Sequence, residues 1–318
     1  MARFSSRRLL HAGVRALQTL ILASAALLPA ASLASTKPVL QVVASTAMLA
    51  EAVQQVGGSR VAATALMGTG VDPHIYRQTH RDIARLSRAD LIIYHGLHLE
   101  AQLLPLFQDM ARHKPVVALA EAVPAKLLLA DDEHPDLHDP HIWMDPSLWQ
   151  QVVQAARDTL TRLDPSGARA YAENAERYNQ SIAAAADQTT AWLHAVPAER
   201  RVLVTAHDAF RYFGRAYGYE VLAIQGISTE SEASLHQIEQ LVDTLVRRRI
   251  GAVFIESSVP VQHVRALTEG AAARGHQVVI GGELYSDAMG EPGTPEGTYT
   301  GMIQHNARVI ADALGGQP

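Results

Sequence analysis

DPSGARAYAENAERYNQSIAAAADQTTAWLHAVP, residues 164–197, is the stretch on which the fold turns. Asp164-Pro165 is a good N-cap and first-turn pair, no glycine follows Gly167 in the run, and Pro197 stops it. Its alanines, with Glu173, Glu176, Arg177 and Gln180, favour helix throughout. About 30 helical residues span roughly 45 Å, enough to run the length of the molecule. What stands on either side decides what such a helix does.

On both sides, short β-branched or apolar runs alternate with helical patterns, the mark of parallel sheets with crossover helices. Before it, strands are expected at residues 39–44, 61–67, 91–94 and 116–119, with helices at 47–56, 79–88, 100–112 and 146–163. After it, strands are expected at 201–205, 220–224, 252–255 and 277–280, with helices at 208–217, 234–249 and 261–274. The pattern predicts an α/β protein of two lobes, each a mainly parallel four-stranded sheet with flanking helices, joined by one long connector helix. The expected divisions are residues 35–163, the connector 164–196, and residues 197–318. A single stiff helix permits less lobe closure than a flexible multi-strand hinge.

Residues 1–34 read as a cleaved signal peptide. Arg3, Arg7, Arg8 and Arg15 come without an acid, an apolar run follows over 16–31, and Ser32-Leu33-Ala34 offers a small-residue cleavage site. The run is short and holds Gln18, Thr19 and Pro29, which argues against a permanent anchor. Taking 34 from 318 leaves 284 residues; taking the leader's four bases from 27 leaves 23 against 32 acids, a net charge of about −9. Nucleic acid is therefore not an expected partner. The chain has no cysteine, so packing rather than disulfides must hold it, and no lipidated cysteine tethers it. The expectation is a free, monomeric protein exported to a Gram-negative periplasm.

Fifteen histidines invite attention to placement. Four polar sites follow predicted strands or precede predicted helices, where open α/β sheets gather ligands. Gly70-Val71-Asp72-Pro73-His74-Ile75-Tyr76 follows the second strand, and Pro73 fixes the backbone before His74. Asp139-Pro140-His141-Ile142-Trp143-Met144-Asp145-Pro146 repeats Asp-Pro-His 67 residues later, and the repetition raises the weight of both. Asp145 also suits the N-cap of the helix behind it. At His207 a buried strand ends, and Asp208 reads as the cap of the next helix, although His207 alone is equally a satisfied core histidine. Gly281-Gly282-Glu283-Leu284-Tyr285-Ser286-Asp287 offers a sharp glycine turn and then a carboxylate that is either a turn residue or a ligand. Residues 131–138, with His134 and His138, read as a solvated acidic loop in preference to an accessory metal collector. Glu256, closing its strand, reads as an ordinary helix-start carboxylate in preference to a partner that orients a ligand.

From Val39 to near its end, the chain resembles the zinc and manganese receptors of bacterial ABC importers, and is especially similar to their treponemal-type member. The resemblance is carried by the segments just quoted, by Val204-Thr205-Ala206-His207-Asp208-Ala209-Phe210, and by Gln225-Gly226-Ile227-Ser228-Thr229. Phe254-Ile255-Glu256-Ser257-Ser258 and the extension Ala288-Met289-Gly290 complete it. It implies that His74, His141, His207 and Asp287 are metal ligands, two from each lobe. It implies one zinc or manganese ion per chain as transported ligand, and an ABC transporter membrane permease as partner. The protein would then be no enzyme. Three departures bear on metal identity: no lipid-bearing cysteine, a short acidic loop poor in histidine, and His207 where many manganese receptors carry Glu.

Three imidazoles and a carboxylate suit tetrahedral Zn²⁺ without excluding Mn²⁺. The same set could hold an activated water, so a zinc-dependent hydrolase is the alternative, although no His-Glu-x-x-His or Gly-x-Ser-x-Gly pattern occurs. A receptor for an organic solute is weaker still, since aromatics make up only 5% of the chain and such clefts are usually lined with them.

Overall fold

A helix follows each of the first three strands and returns the chain to the same sheet, so all neighbouring strands there run parallel. The computed structural model describes residues 39–131 and 134–315; the expected signal peptide lies outside the described residues. Strands β1 (Leu40–Ala44), β2 (Val61–Ala65), β3 (Leu91–Tyr94) and β4 (Val116–Ala118) lie in the order β2-β1-β3-β4. Helix α1 (Ala47–Gly57) buries Met48, Leu49, Ala52, Val53 and Val56, a stripe at helical spacing, and Thr46 caps it by accepting from Leu49 N. Helix α2 (His80–Arg88) opens on a capping box of Thr79 and Asp82. Helix α3 (Leu104–Met110) is shorter than the expected 100–112. A 3-10 turn, Ala101–Leu103, precedes it, and Pro105 sits in its first turn, where its missing N–H does no harm.

Helix α4 (Pro146–Leu163) matches expectation, with Asp145 accepting from Ser147 N at 2.9 Å as cap. The connector α5 (Ala168–His194) is 27 residues, about 40 Å at 1.5 Å per residue. It starts later than expected because Pro165–Gly167 forms a 3-10 turn. The Asp164 carboxylate does not cap it, but accepts from Arg60 and, at 2.9 Å, from the Tyr171 hydroxyl, pinning the helix entry to the first half.

Beyond it come β5 (Val202–Thr205), α6 (Arg211–Tyr217), β6 (Glu220–Ala223), α7 (Leu235–Arg248), β7 (Ala252–Glu256), α8 (Gln262–Ala273) and β8 (Val279–Leu284). The four strands are hydrogen-bonded as two parallel pairs, β5 with β6 and β7 with β8, and β5 lies against β7. At the ends of β5 and β7 the N–H groups of Ala206 and His207 bond to the Glu256 carboxylate, a side chain standing where a ladder partner would. Gly281-Gly282 is no turn but lies inside β8. A Cβ at 281 would meet the Phe254 ring at 2.8 Å and one at 282 would meet Val309 at 2.5 Å, so the pair admits close packing. Val309 belongs to a helix the sequence reading left unassigned, α9 (Tyr299–Ala313), capped by Thr298.

The largest apolar cluster is continuous through both halves. Val42, Leu49 and Trp149 reach Tyr171, Tyr178 and Ile182 of α5, and from there Phe213, Phe254, Met302 and Ile310. Smaller clusters lie beneath α7 and α8 and on the far face of the first sheet. No helix among the described residues is long and apolar enough to cross a membrane.

Candidate metal centre

The two Asp-Pro-His segments fold by the same local rule. Asp72 Oδ1 accepts the N–H of His74 at 2.9 Å, and Asp139 Oδ1 accepts that of His141 at 2.9 Å, each carboxylate bonding to the backbone two residues on. The proline between supplies a preset φ and no competing donor. Asp139 Oδ1 also accepts from His141 Nδ1 at 2.8 Å, which fixes the tautomer and turns Nε2 inward. The backbone here is fastened by donors from two other elements: His95 Nε2 to Pro140 O at 2.7 Å, and the Tyr212 hydroxyl to Asp139 O at 2.9 Å.

His207 stands at the end of β5, held by a residue of β7. Glu256 Oε2 accepts from His207 Nδ1 at 2.5 Å, while Oε1 accepts from Ala206 N at 2.7 Å and His207 N at 2.9 Å. Asp287 follows β8. Its neighbour Ser286 accepts at the carbonyl from Trp143 Nε1 at 2.8 Å, a bond between the two halves.

These four side chains meet. One ligand-type atom from each of His74, His141, His207 and Asp287 lies within 4.8 Å of every other, and none of the four residues is more than 3% exposed. His74 Nε2 is 3.3 Å from His141 Nε2, His141 Nε2 is 3.5 Å from Asp287 Oδ1, and His207 Nε2 is 3.2 Å from Asp287 Oδ2. Ligands at about 2.0 to 2.1 Å from a tetrahedral Zn²⁺ are themselves about 3.3 Å apart. Close as they are, His207 Nε2 makes no hydrogen bond and neither does Asp287 Oδ1. Buried polar atoms left so are rare unless something else is meant to satisfy them.

The electrostatics agree. Burial pushes His74 down to about 3, so its imidazole is neutral and free to donate a lone pair. Burial opposes charge on His141 too, but Asp139 and Asp287 outweigh it and hold that ring up at about 9. His207 is likewise lifted well above its ordinary value, burial being overcome by Asp287 and Glu256. Burial would raise Asp287, yet His207 and His141 hold it well below the usual carboxylate range. A divalent cation entering here takes the place of protons that the carboxylates already attract.

Several expectations change. Glu256 orients His207 and starts no helix, since Gln262 begins α8. Asp208 caps nothing: α6 starts at Arg211 without a side-chain cap, and Asp208 lies 3.8 Å from Arg211 Nε. His134 and His138 lie outside the cluster of four; with His98 they line a cavity of about 150 Å³ beside His74. His95, Tyr212 and Trp143 brace the centre without having been singled out for that role. A polar residue directly after the apolar strand β3 was the available signal for His95.

A family profile described as "Zinc-uptake complex component A periplasmic" (ZnuA) matches residues 42–313. The chain is 45% identical to the "Zinc-binding protein TroA" of Treponema pallidum over 277 residues, 86% of this chain and 88% of that protein. It is 43% identical to the "Manganese-binding lipoprotein MntA" of Bacillus subtilis over 275 residues, 86% of this chain and 90% of that one. The solved structure of the periplasmic zinc binding protein TroA from Treponema pallidum superposes with a TM-score of 0.84 at 44% identity, covering 87% of this chain and 99% of that one.

Proposed function

The chain belongs to the ZnuA family of periplasmic metal-uptake components, and from that premise we propose that it captures one zinc or manganese ion on His74, His141, His207 and Asp287 and delivers it to an ABC import permease. The observation that carries this is the convergence of four buried donors within 4.8 Å of one another, close enough to share one ion, with two of their atoms unsatisfied. All four donors come from a single chain, which supports a receptor working as a monomer. The relatives named above are binding proteins rather than hydrolases, and the family's description supports a periplasmic location.

His74 and His141 arrive from the first lobe, His207 and Asp287 from the second, so the ion ties the lobes together. The surface so formed differs with and without cargo, which is what a permease must distinguish. Native mass spectrometry of protein purified without chelator should find one divalent ion per chain, removable by chelation without unfolding. Adding the ion back at 100 times its Kd should stabilise the fold by about 2.7 kcal/mol. Protein that takes up no tightly bound ion, or that unfolds globally when chelated, would overturn the reading.

A further inference from the structure

The segment Gln225-Gly226-Ile227-Ser228-Thr229 supplies no proposed ligand, yet its last residue reaches the other lobe. The Thr229 hydroxyl donates to Asp72 Oδ2 at 2.5 Å. The second oxygen of that carboxylate, Oδ1, accepts the backbone N–H of His74. One carboxylate, buried to 9% exposure, therefore links a loop of the second lobe to the loop that presents His74. Next along the chain, Glu230 makes a parallel crossing by accepting from Gln102 Nε2 at 2.5 Å.

The other Asp-Pro-His segment does something different with its acid. Asp139 turns inward and takes both the N–H and the ring Nδ1–H of its own histidine. On that side the lobes are joined by fully buried aromatics: Trp143 donates to Ser286 O, and the Tyr299 hydroxyl donates to Trp143 O at 2.8 Å. His207 is held just as firmly by Glu256. His74 is the exception, for among the described residues nothing hydrogen-bonds its Nδ1. Its loop is held across the lobes by the Thr229 hydroxyl, on a segment whose next residues, Glu230 to Glu232, are exposed, and five residues upstream by the longer 3.3 Å bond from the Thr69 hydroxyl to Gly290 O.

Resting on the reading that these four side chains hold the ion, we propose that the Asp72–Thr229 hydrogen bond is a latch that sets how fast the ion leaves, His74 being the ligand that swings away first. Asp72 and Thr229 are positioning residues: they touch no ion and act through the His74 loop. A neutral hydroxyl bonded to a carboxylate is stronger than a neutral pair but is broken locally, without parting the aromatic contacts on the far side.

The test is stopped-flow release of zinc into excess chelator from the full chain and from Thr229→Val, Thr229→Ala and Thr229→Ser. The valine and alanine variants should release zinc about tenfold faster, the usual consequence of losing a hydrogen bond to a charged group. Their association rates should stay within about twofold, since encounter does not depend on a closed latch. Serine, which keeps the hydroxyl, should restore the wild-type rate. Equal release rates from all four proteins, each holding one ion, would overturn the latch and leave the site standing, as would serine releasing as fast as alanine. Wild-type protein taking up no zinc would overturn the site and the latch together.

Discussion

Replacing Glu256 by Gln tests whether the centre depends on the side chains behind it as well as on those facing the ion. Glu256 accepts three bonds at once: two backbone N–H groups on Oε1 and His207 Nδ1–H on Oε2 at 2.5 Å. A glutamine has one acceptor oxygen. If that oxygen keeps the backbone pair, its NH₂ faces the imidazole N–H and two donors collide. If the ring answers by moving its proton to Nε2, the nitrogen that faces the other ligands loses its lone pair. Either way the ion loses a good ligand, and changes of this kind cost about 10- to 100-fold in affinity, which is about 1.4 to 2.7 kcal/mol. The assay is zinc affinity by competition with a chelator of known strength, with stoichiometry measured alongside. Glu256→Gln should still take up one ion, more weakly by that factor. An affinity within about threefold of wild type would refute the argument, because it would mean that His207 needs no fixed tautomer to bind.

Single alanine replacements of His74, His141, His207 or Asp287 should each weaken binding by about tenfold or more, whereas His134→Ala and His138→Ala should change it little; equilibrium titration separates the two groups, and equal losses would misplace the site. Affinity should also fall with acid. His141 is held up at about 9 and His207 is raised as well, so below that range the folded, metal-free protein carries protons that the ion must expel. The sign follows directly: binding strengthens as pH rises toward 9, weakens as it falls, and releases protons at neutral pH, which calorimetry in buffers of different ionisation enthalpy would detect. Finally, His207→Glu should raise the ratio of manganese to zinc affinity, since manganese prefers carboxylate oxygen and zinc is well served by imidazole. Because Glu256 lies against position 207, the variant places two carboxylates together, and the shift should be clearer when Glu256→Gln is added. A ratio that is flat or moves toward zinc in both backgrounds would show that position 207 does not control the choice.

What could be read from the sequence was what depends on local periodicity. Parallel strands buried on both faces appear as short apolar runs, and the helices between them show 3.6-residue stripes, so β1 to β7 lie close to where the runs place them. The end of β8 was misjudged because Gly281-Gly282 looks the same in a sequence whether glycine serves a positive φ or a close neighbour. Here both apply: Gly282 has a φ of +148°, and Phe254 and Val309 crowd the pair because the fold brings them there. The long helix was legible, but the turn Pro165–Gly167 at its start was not. Asp164 had two chemically reasonable uses, as a cap or as a partner for Arg60 104 residues away, and the distant partner prevailed.

The site divides along the same line. His74 and His141 could be singled out because their Asp-Pro-His segments repeat, and His207 and Asp287 because they follow strands. Their convergence is a property of the sheets, since parallel strands deliver their following loops to one end. Glu256 is ranked from sequence as a helix-start carboxylate ahead of a ligand's partner because β5 and β7 are neighbours in space while β6 and α7 stand between them in the chain. Nothing near residue 256 records that His207 will be within reach. The sharpest case is Asp72 against Asp139, identical in local sequence and in the bond each makes to the backbone two residues on. Asp139 takes both the backbone N–H and the ring N–H of His141 on Oδ1 and leaves Oδ2 without a hydrogen bond, while Asp72 divides its two oxygens between the His74 N–H and Thr229. A tripeptide can therefore specify how a histidine's backbone is turned, but not which partners its aspartate will find elsewhere in the fold. What the second lobe brings alongside differs between the two: Tyr212 and Tyr299 reach the His141 segment from a buried position, while on the His74 side the crossings are made by Thr229 to Asp72 and by Thr69 to Gly290.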